Sequence, residues 1–314
     1  MDPLLIKQGG LLMAKKIIQF HNWRANDITE EVLLDVSKQG FTDIQISPLQ
    51  EIRPHIEAWF NLYQPISFRI GNRLGNKEDI KNLCERAKKY ELGIIQDIVM
   101  NHMATDWGDG KPSHYISEEI RNREDFWHNH FRDTQDWNNR YEVTQFNMAG
   151  LPDLNTANPV IQKAFIYMIA EYKSLGVSGF RFDAAKHIEL PDDPYCGSNF
   201  WDNIINACGH SYCYGEIIYE RYNLMERYSR YMKVGTNWAD GLSQDKTVLW
   251  VESHDTYNDG QTRHLNDEQI NREYLRLRRE CRDSDVLYFI RPKKDSWESS
   301  DCWKSEIVRE ANLL

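Results

Sequence analysis

Four short segments of this chain each close on residues able to move protons or hold charge: Asp97-Ile98-Val99-Met100-Asn101-His102, Gly179-Phe180-Arg181-Phe182-Asp183, Tyr214-Gly215-Glu216 and Val251-Glu252-Ser253-His254-Asp255. Two carboxyl groups held close together can break a glycosidic bond, one attacking the anomeric carbon and one protonating the departing oxygen. Asp183 is the candidate nucleophile. Arg181 lies two residues earlier, so on an extended strand both side chains leave the same face. A guanidinium there should favour the ionised carboxylate that attack requires. Glu216, beside Gly215, is the candidate acid, expected to keep its proton through burial and neighbouring carboxylates. Asp255 and His254 would support the sugar as positive charge develops on it, and His102 would donate a further hydrogen bond. Taken singly, each acid is more simply a helix cap or a solvated charge. Their conjunction is what points to chemistry.

Such residues converge only if the segments are strands whose ends meet on one face. Eight candidate strands can be placed: Ile17 to Phe20, Thr42 to Ser47, Ile94 to Val99, Val177 to Phe182, Ser211 to Glu216, Lys233 to Thr236, Thr247 to Ser253 and Val286 to Ile290. Helical patterns follow most of them, over Asp27 to Gln39, Lys77 to Tyr90, Pro159 to Ser174, Phe200 to Ala207, Glu220 to Tyr231, Asp267 to Arg282 and Cys302 to Asn312. Alternation of this kind implies a parallel α/β sheet, and eight strands imply closure into a (β/α)8 TIM barrel, which gathers its chemistry at the C-terminal strand ends. An open doubly wound sheet is the rival, but His21-Asn22-Trp23 follows the first strand where that fold carries a glycine-rich phosphate loop. Between about residues 103 and 150 the periodicity lapses into polar sequence rich in Trp, Asn, Asp and His. That length of irregular chain predicts an inserted subdomain after the third strand, leaving 1–102 and 151–314 for the barrel.

Bulk composition narrows the partners. With 41% hydrophobic residues and mixed charge the chain can bury a large core, and its formal charge of −10 repels phosphate backbones, which argues against nucleic acid. Aromatic residues reach 12%, enough to supply platforms for sugar rings beyond the needs of a core. No stretch approaches the roughly 20 apolar residues of a membrane span. The patch Leu11-Leu12-Met13-Ala14 is too short for a secretory segment, and its lysines come after it. A cytoplasmic monomer is the expectation. The six cysteines lack metal or disulfide spacing and read as free thiols. His114, His128 and His130 are poorly spaced for zinc and read as a solvated loop.

The four segments, in this order, closely resemble the signature sequences of the α-amylase family of retaining glycoside hydrolases. Gly179 to Asp183 continues as Ala184-Ala185-Lys186-His187, and Leu151-Pro152-Asp153-Leu154-Asn155 resembles the segment that closes the family's inserted domain. Trp59-Phe60-Asn61-Leu62-Tyr63-Gln64-Pro65 and Gly71-Asn72-Arg73-Leu74-Gly75 also look like family sequence, so the likeness runs from about Lys15 to Leu314. The resemblance implies Asp183 as nucleophile, Glu216 as acid/base and Asp255 as transition-state stabiliser. It matches His102, Arg181 and His254 to substrate binding, Tyr63 to a platform under the sugar, and Lys186 and His187 to the leaving-group side. Trp59 is either a stacking residue or a core tryptophan. It further implies a structural Ca²⁺, with Asn101, Asp153 and the His187 carbonyl matching ligand positions. The family's C-terminal antiparallel β domain has no counterpart in this sequence. The implied activity is cleavage of α-1,4-glucosidic bonds in starch, glycogen or maltodextrins. The alternatives are glucosyl transfer through the same intermediate, or a truncated, inactive glucan-binding relative.

Overall fold

The computed structural model describes residues 14–128, 131–238, 241–292 and 299–314. The apolar patch through Met13 and the candidate ligand His130 lie outside them. Ten strands form. Eight of them, β1 (Lys16–Phe20), β2 (Asp43–Ile46), β5 (Gly93–Val99), β6 (Gly179–Asp183), β7 (Tyr212–Glu216), β8 (Lys233–Thr236), β9 (Thr247–Trp250) and β10 (Asp285–Phe289), close into a parallel barrel. Closure is made by β1 against β10, with Lys16 opposite Val286 and Gln19 opposite Phe289. The barrel expected from strand–helix alternation is therefore present. The other two strands, β3 (Gln50–Ile52) and β4 (Pro65–Ile70), form a separate antiparallel pair in what the sequence reads as a plain connection.

The barrel has two apolar layers because alternate strand residues face opposite ways. Inside, Ile17, Ile95, Tyr214, Val248, Trp250 and Leu287 pack together. Outside, the strands meet helices whose apolar residues recur at helical spacing. In α5 (Pro159–Ser174) these are Ile161, Phe165, Met168, Ile169 and Tyr172; in α2 (Lys77–Lys88) they are Ile80, Leu83 and Ala87. Start signals explain where the helices begin. Asn158 caps α5 with Pro159 in its first turn, and Asn76 forms a reciprocal capping box with Asp79 ahead of α2.

Two connections shape the functional end. The stretch from Met100 to Asn158 joins β5 to α5, and the α-helices among its described residues are short, α3 (Glu118–Arg121) and α4 (Arg140–Gln145). It returns to the barrel where Leu154 N–H donates to the Asn101 carbonyl. Between β8 and β9 the described residues hold no α-helix, only a 3₁₀ turn at Gln244–Lys246, with Leu242 buried beside it.

Candidate active site

Neighbouring strands bring the charged residues into register. Asp97 on β5 lies opposite Arg181 on β6, and Val99 opposite Asp183; Phe182 lies opposite Gly215 on β7, just before Glu216. Parallel pairing makes opposed residues face the same way, so acids and guanidinium must meet. The Arg181 Nη1 donates to both oxygens of Asp97 (2.8 and 2.9 Å) and to Asp183 Oδ1 (2.7 Å). Its Nη2 reaches Glu216 Oε1 at 2.8 Å. One guanidinium thus grips both members of the expected carboxyl pair, and Glu216 Oε2 also accepts the Ala184 N–H at 3.1 Å. Arg181 is itself almost wholly buried among these acids.

Four carboxyl groups cluster around this cation, and burial is the largest influence on Asp97, Asp183 and Asp255. Asp97 is raised to about 6 by burial, against the pull of Arg181. Asp183 is also pushed well above the usual carboxylate range by burial; Arg181 opposes this, while Glu216 and Asp97 add to it. Arg181 thus pulls Asp183 toward the ionised form, as expected of a neighbouring guanidinium, while burial pulls the other way. Asp255 is raised to about 8 by burial, then by Glu216.

Asp255 sits on a short helix and not on the end of a strand. β9 stops at Trp250, Ser253 caps α8 (His254–Asn258), and Asp255 lies in its first turn. His254 is buried and neutral, its pKa driven well down by burial. The Gln19 amide donates to its Nδ1 at 3.0 Å, which leaves Nε2–H as the donor, 3.4 Å from Asp255 Oδ2. His102 is likewise held neutral by burial, at about 4. Its Nε2–H donates to the Tyr63 carbonyl at 3.0 Å, so the remaining buried Nδ1 can only accept. The donor role expected of His102 is reversed.

Tyr63 is stacked on His254 with ring centroids 4.8 Å apart and planes 10° apart, and its hydroxyl donates to Asp97 Oδ2 at 3.0 Å. His21, to which the sequence assigned no role, also stacks on His254, with ring centroids 4.6 Å apart. Trp59 packs edge-on against both Tyr63 and His254 and lines the cleft, so it belongs to both core and site. Lys186 donates to the Ile218 carbonyl at 3.0 Å and pairs with Glu220 at 3.2 Å. His187 bonds the Val143 carbonyl of α4 at 3.0 Å, and burial drops its pKa to about 3. The resulting cleft, about 300 Å³, is bounded by Asp183, Glu216, Asp255, His102, Tyr63 and Lys186 among others, and the stretch after β5 supplies Met148 and Leu151.

The expected metal ligands are only partly gathered. Asn101 Nδ2 donates to Asp153 Oδ1 at 2.8 Å, and His128 Nδ1 lies 2.7 Å from Asp153 Oδ2. Burial raises Asp153 to about 7, as befits a buried carboxyl group that would gain from a cation. Both are buried oxygen donors, so they fit a hard cation such as Ca²⁺. His114 pairs with Asp106 and His128 with Asp153, and among the described residues no group of three or more His, Cys, Asp or Glu side chains could hold a metal. The six cysteines are unpaired, as their spacing implied.

A parallel eight-stranded barrel with Asp183 and Glu216 ending neighbouring strands, and Asp255 on the short helix after a third, defines a barrel enzyme of the glycosidase type. The model of the alpha-amylase catalytic domain matches residues 36–255, and the chain belongs to the alpha-amylase family. It is 31% identical to an alpha-amylase of Clostridium acetobutylicum over 93% of this chain and 42% of that protein. It is 27% identical to one of Butyrivibrio fibrisolvens over 93% and 37%. The chain thus spans less than half the length of these curated relatives. Among solved structures, wild-type alpha-amylase I of Eisenia fetida superposes with a TM-score of 0.74 at 18% identity, covering 97% of this chain and 79% of that one. At that identity the likeness speaks for the fold alone. No helix among the described residues is long and apolar enough to cross a membrane.

Proposed function

We propose that this chain is a retaining glycoside hydrolase that cleaves α-1,4-glucosidic bonds in starch, glycogen or maltodextrins. The observation that carries the reading is the single guanidinium of Arg181 joined to both Asp183 and Glu216 at the cleft floor, in a chain of the alpha-amylase family. Asp183 attacks the anomeric carbon while Glu216 gives its proton to the departing glycosidic oxygen, leaving a glycosyl ester on Asp183. Glu216 then takes a proton from water, which attacks the same carbon and restores Asp183. Asp255 faces the charge that builds on the ring, and the Nε2–H of His254 donates to the same sugar. Tyr63 supports the ring from below, and Lys186 and His187 lie where the leaving chain would pass.

Asn101 and Asp153, with the His187 carbonyl, would hold calcium at the seam between the barrel and the stretch after β5. There the ion would supply a structural cross-link.

The test is reducing sugar released from soluble starch and maltoheptaose, with the anomer of the first product read by NMR. Wild-type release of the α-anomer, reduced to background by Asp183→Asn, is expected. Wild-type protein no faster than Asp183→Asn refutes hydrolysis, and products longer than the substrate would instead indicate transfer.

A further inference from the structure

The catalytic acids on β6 and β7 are fixed by strands, whereas Asp255 rides on a helix of five residues. A helix that short has no stability of its own, so outside contacts must set its orientation. One such contact is a buried ion pair that the reaction leaves unused. Arg291, two residues past β10, meets Glu252, just before the cap of α8, in a two-pronged fork: Nε to Oε2 at 2.6 Å and Nη2 to Oε1 at 2.7 Å. Its other hydrogens bind the loop that leaves α8, Nη1 to the Leu265 carbonyl at 2.7 Å and Nη2 to the Thr262 carbonyl at 3.0 Å. Thr262 Oγ1 also donates to Glu252, and its N–H folds back to the Thr256 carbonyl at 3.2 Å. The guanidinium lies 5.5 Å from the ring centre of Tyr257 on α8 itself, and Asp267 stands 3.5 Å from Nη1.

We infer that Glu252 and Arg291 are positioning residues: together they clamp both ends of α8 and thereby hold Asp255 at the cleft. A buried ion pair contributes little net stability compared with apolar packing. Its directed hydrogen bonds do fix geometry, and a small misplacement of a catalytic group costs rate steeply. This inference rests on the proposed role of Asp255.

Turnover of a chromogenic maltooligosaccharide is compared for wild type, Arg291→Lys, Glu252→Gln, Asp255→Asn and the Asp255→Asn/Arg291→Lys double variant, with amide hydrogen exchange followed over residues 254–265. Lysine keeps the charge but cannot reproduce the fork. In Arg291→Lys, kcat should fall about tenfold or more with KM changed by less than about threefold. The double variant should be no slower than Asp255→Asn alone, because the clamp acts through that carboxylate. Exchange should quicken over 254–265 and not across the barrel, and Glu252→Gln should do the same in milder form. Losses that multiply in the double variant, or unchanged exchange in Arg291→Lys, would overturn the inference. Should wild type show no turnover, the proposed function fails and not the clamp, and the exchange measurement decides the clamp alone.

Discussion

At the scale of single residues, the site is a contest between burial and one shared positive charge. Arg181 must satisfy Asp97, Asp183 and Glu216 at once, so removing one claimant should release charge to the others. Asp97→Asn is expected to lower overall activity yet move the acidic limb of the kcat/KM–pH profile downward by about one unit. Two effects share that sign: a neighbouring negative charge is lost, and Arg181 turns more fully to Asp183. An acidic limb that stays in place or moves upward would contradict this balance. Glu216→Gln should cut kcat by roughly a hundred- to ten-thousand-fold while leaving the affinity for maltooligosaccharide little changed, as binding titration and turnover on one sample would show. The three acids and His102 were readable from their types and order, whereas Tyr63, Lys186 and His187, which line the same cleft, were found through the family resemblance. Asp97 was not assigned a role, although an acid amid Ile95, Ile98 and Val99 in a buried strand was a visible signal. The acceptor role of His102 depends on which ring nitrogen the Tyr63 carbonyl occupies, and spacing carries no such information.

At the scale of elements, strand spacing and a short helix decide how firmly the acids are held. A side-chain carbon on Gly215 would come within 2.6 Å of Met232 Sδ and 2.8 Å of Ala185 Cβ. Gly215→Ala should therefore push β7 and its Glu216 out of place. Urea unfolding should show a loss of about 1–3 kcal/mol, with a fall in kcat larger than that loss alone would cause. Helix α8 supplies a pH signature. Asp255 is raised from its ordinary value to about 8, so the folded protein keeps a proton that the unfolded chain has already lost above pH 4. Stability from this group therefore declines as pH rises toward 8. Buried neutral His21, His102, His187 and His254 act oppositely, but only below about pH 6.5, where the unfolded histidines protonate. Above that pH the Asp255 contribution runs in the same direction as those of Asp153 and His128, both raised in the fold. The thermal midpoint should fall between pH 6.5 and 8.5, and Asp255→Asn should flatten part of the fall. A midpoint that climbs over this interval would contradict the assigned shift. Sequence located seven of the helices that pack on the barrel, with α5 exact to the residue, because capping and apolar spacing are local signals. It missed α8 because Val251 to Asp255 reads as strand through its apolar start, and the Ser253 cap lies within the motif itself. The β3–β4 pair escaped for a similar reason: its strands are short, and their partners are distant in sequence.

At the scale of the whole molecule, barrel closure and the stretch after β5 together shape the cleft. The barrel was legible because eight strand signals alternate with helices, whereas packing across the seam depends on side chains with no periodic mark. Asn101 and Asp153, 52 positions apart, meet there, and their buried oxygens frame the calcium proposal. A chelator should lower the thermal midpoint by several degrees, added Ca²⁺ should restore it, and Asp153→Asn should abolish the response. No change with chelator would reject calcium while leaving the acids untouched. The central claim is that Asp183 forms the covalent bond to sugar, and a fluorinated maltosyl substrate that slows the second step tests it most directly. Intact mass and peptide mapping should find one glycosyl label on Asp183, gone in Asp183→Asn. A label on Glu216, or turnover to an inverted product with no label at all, would contradict it.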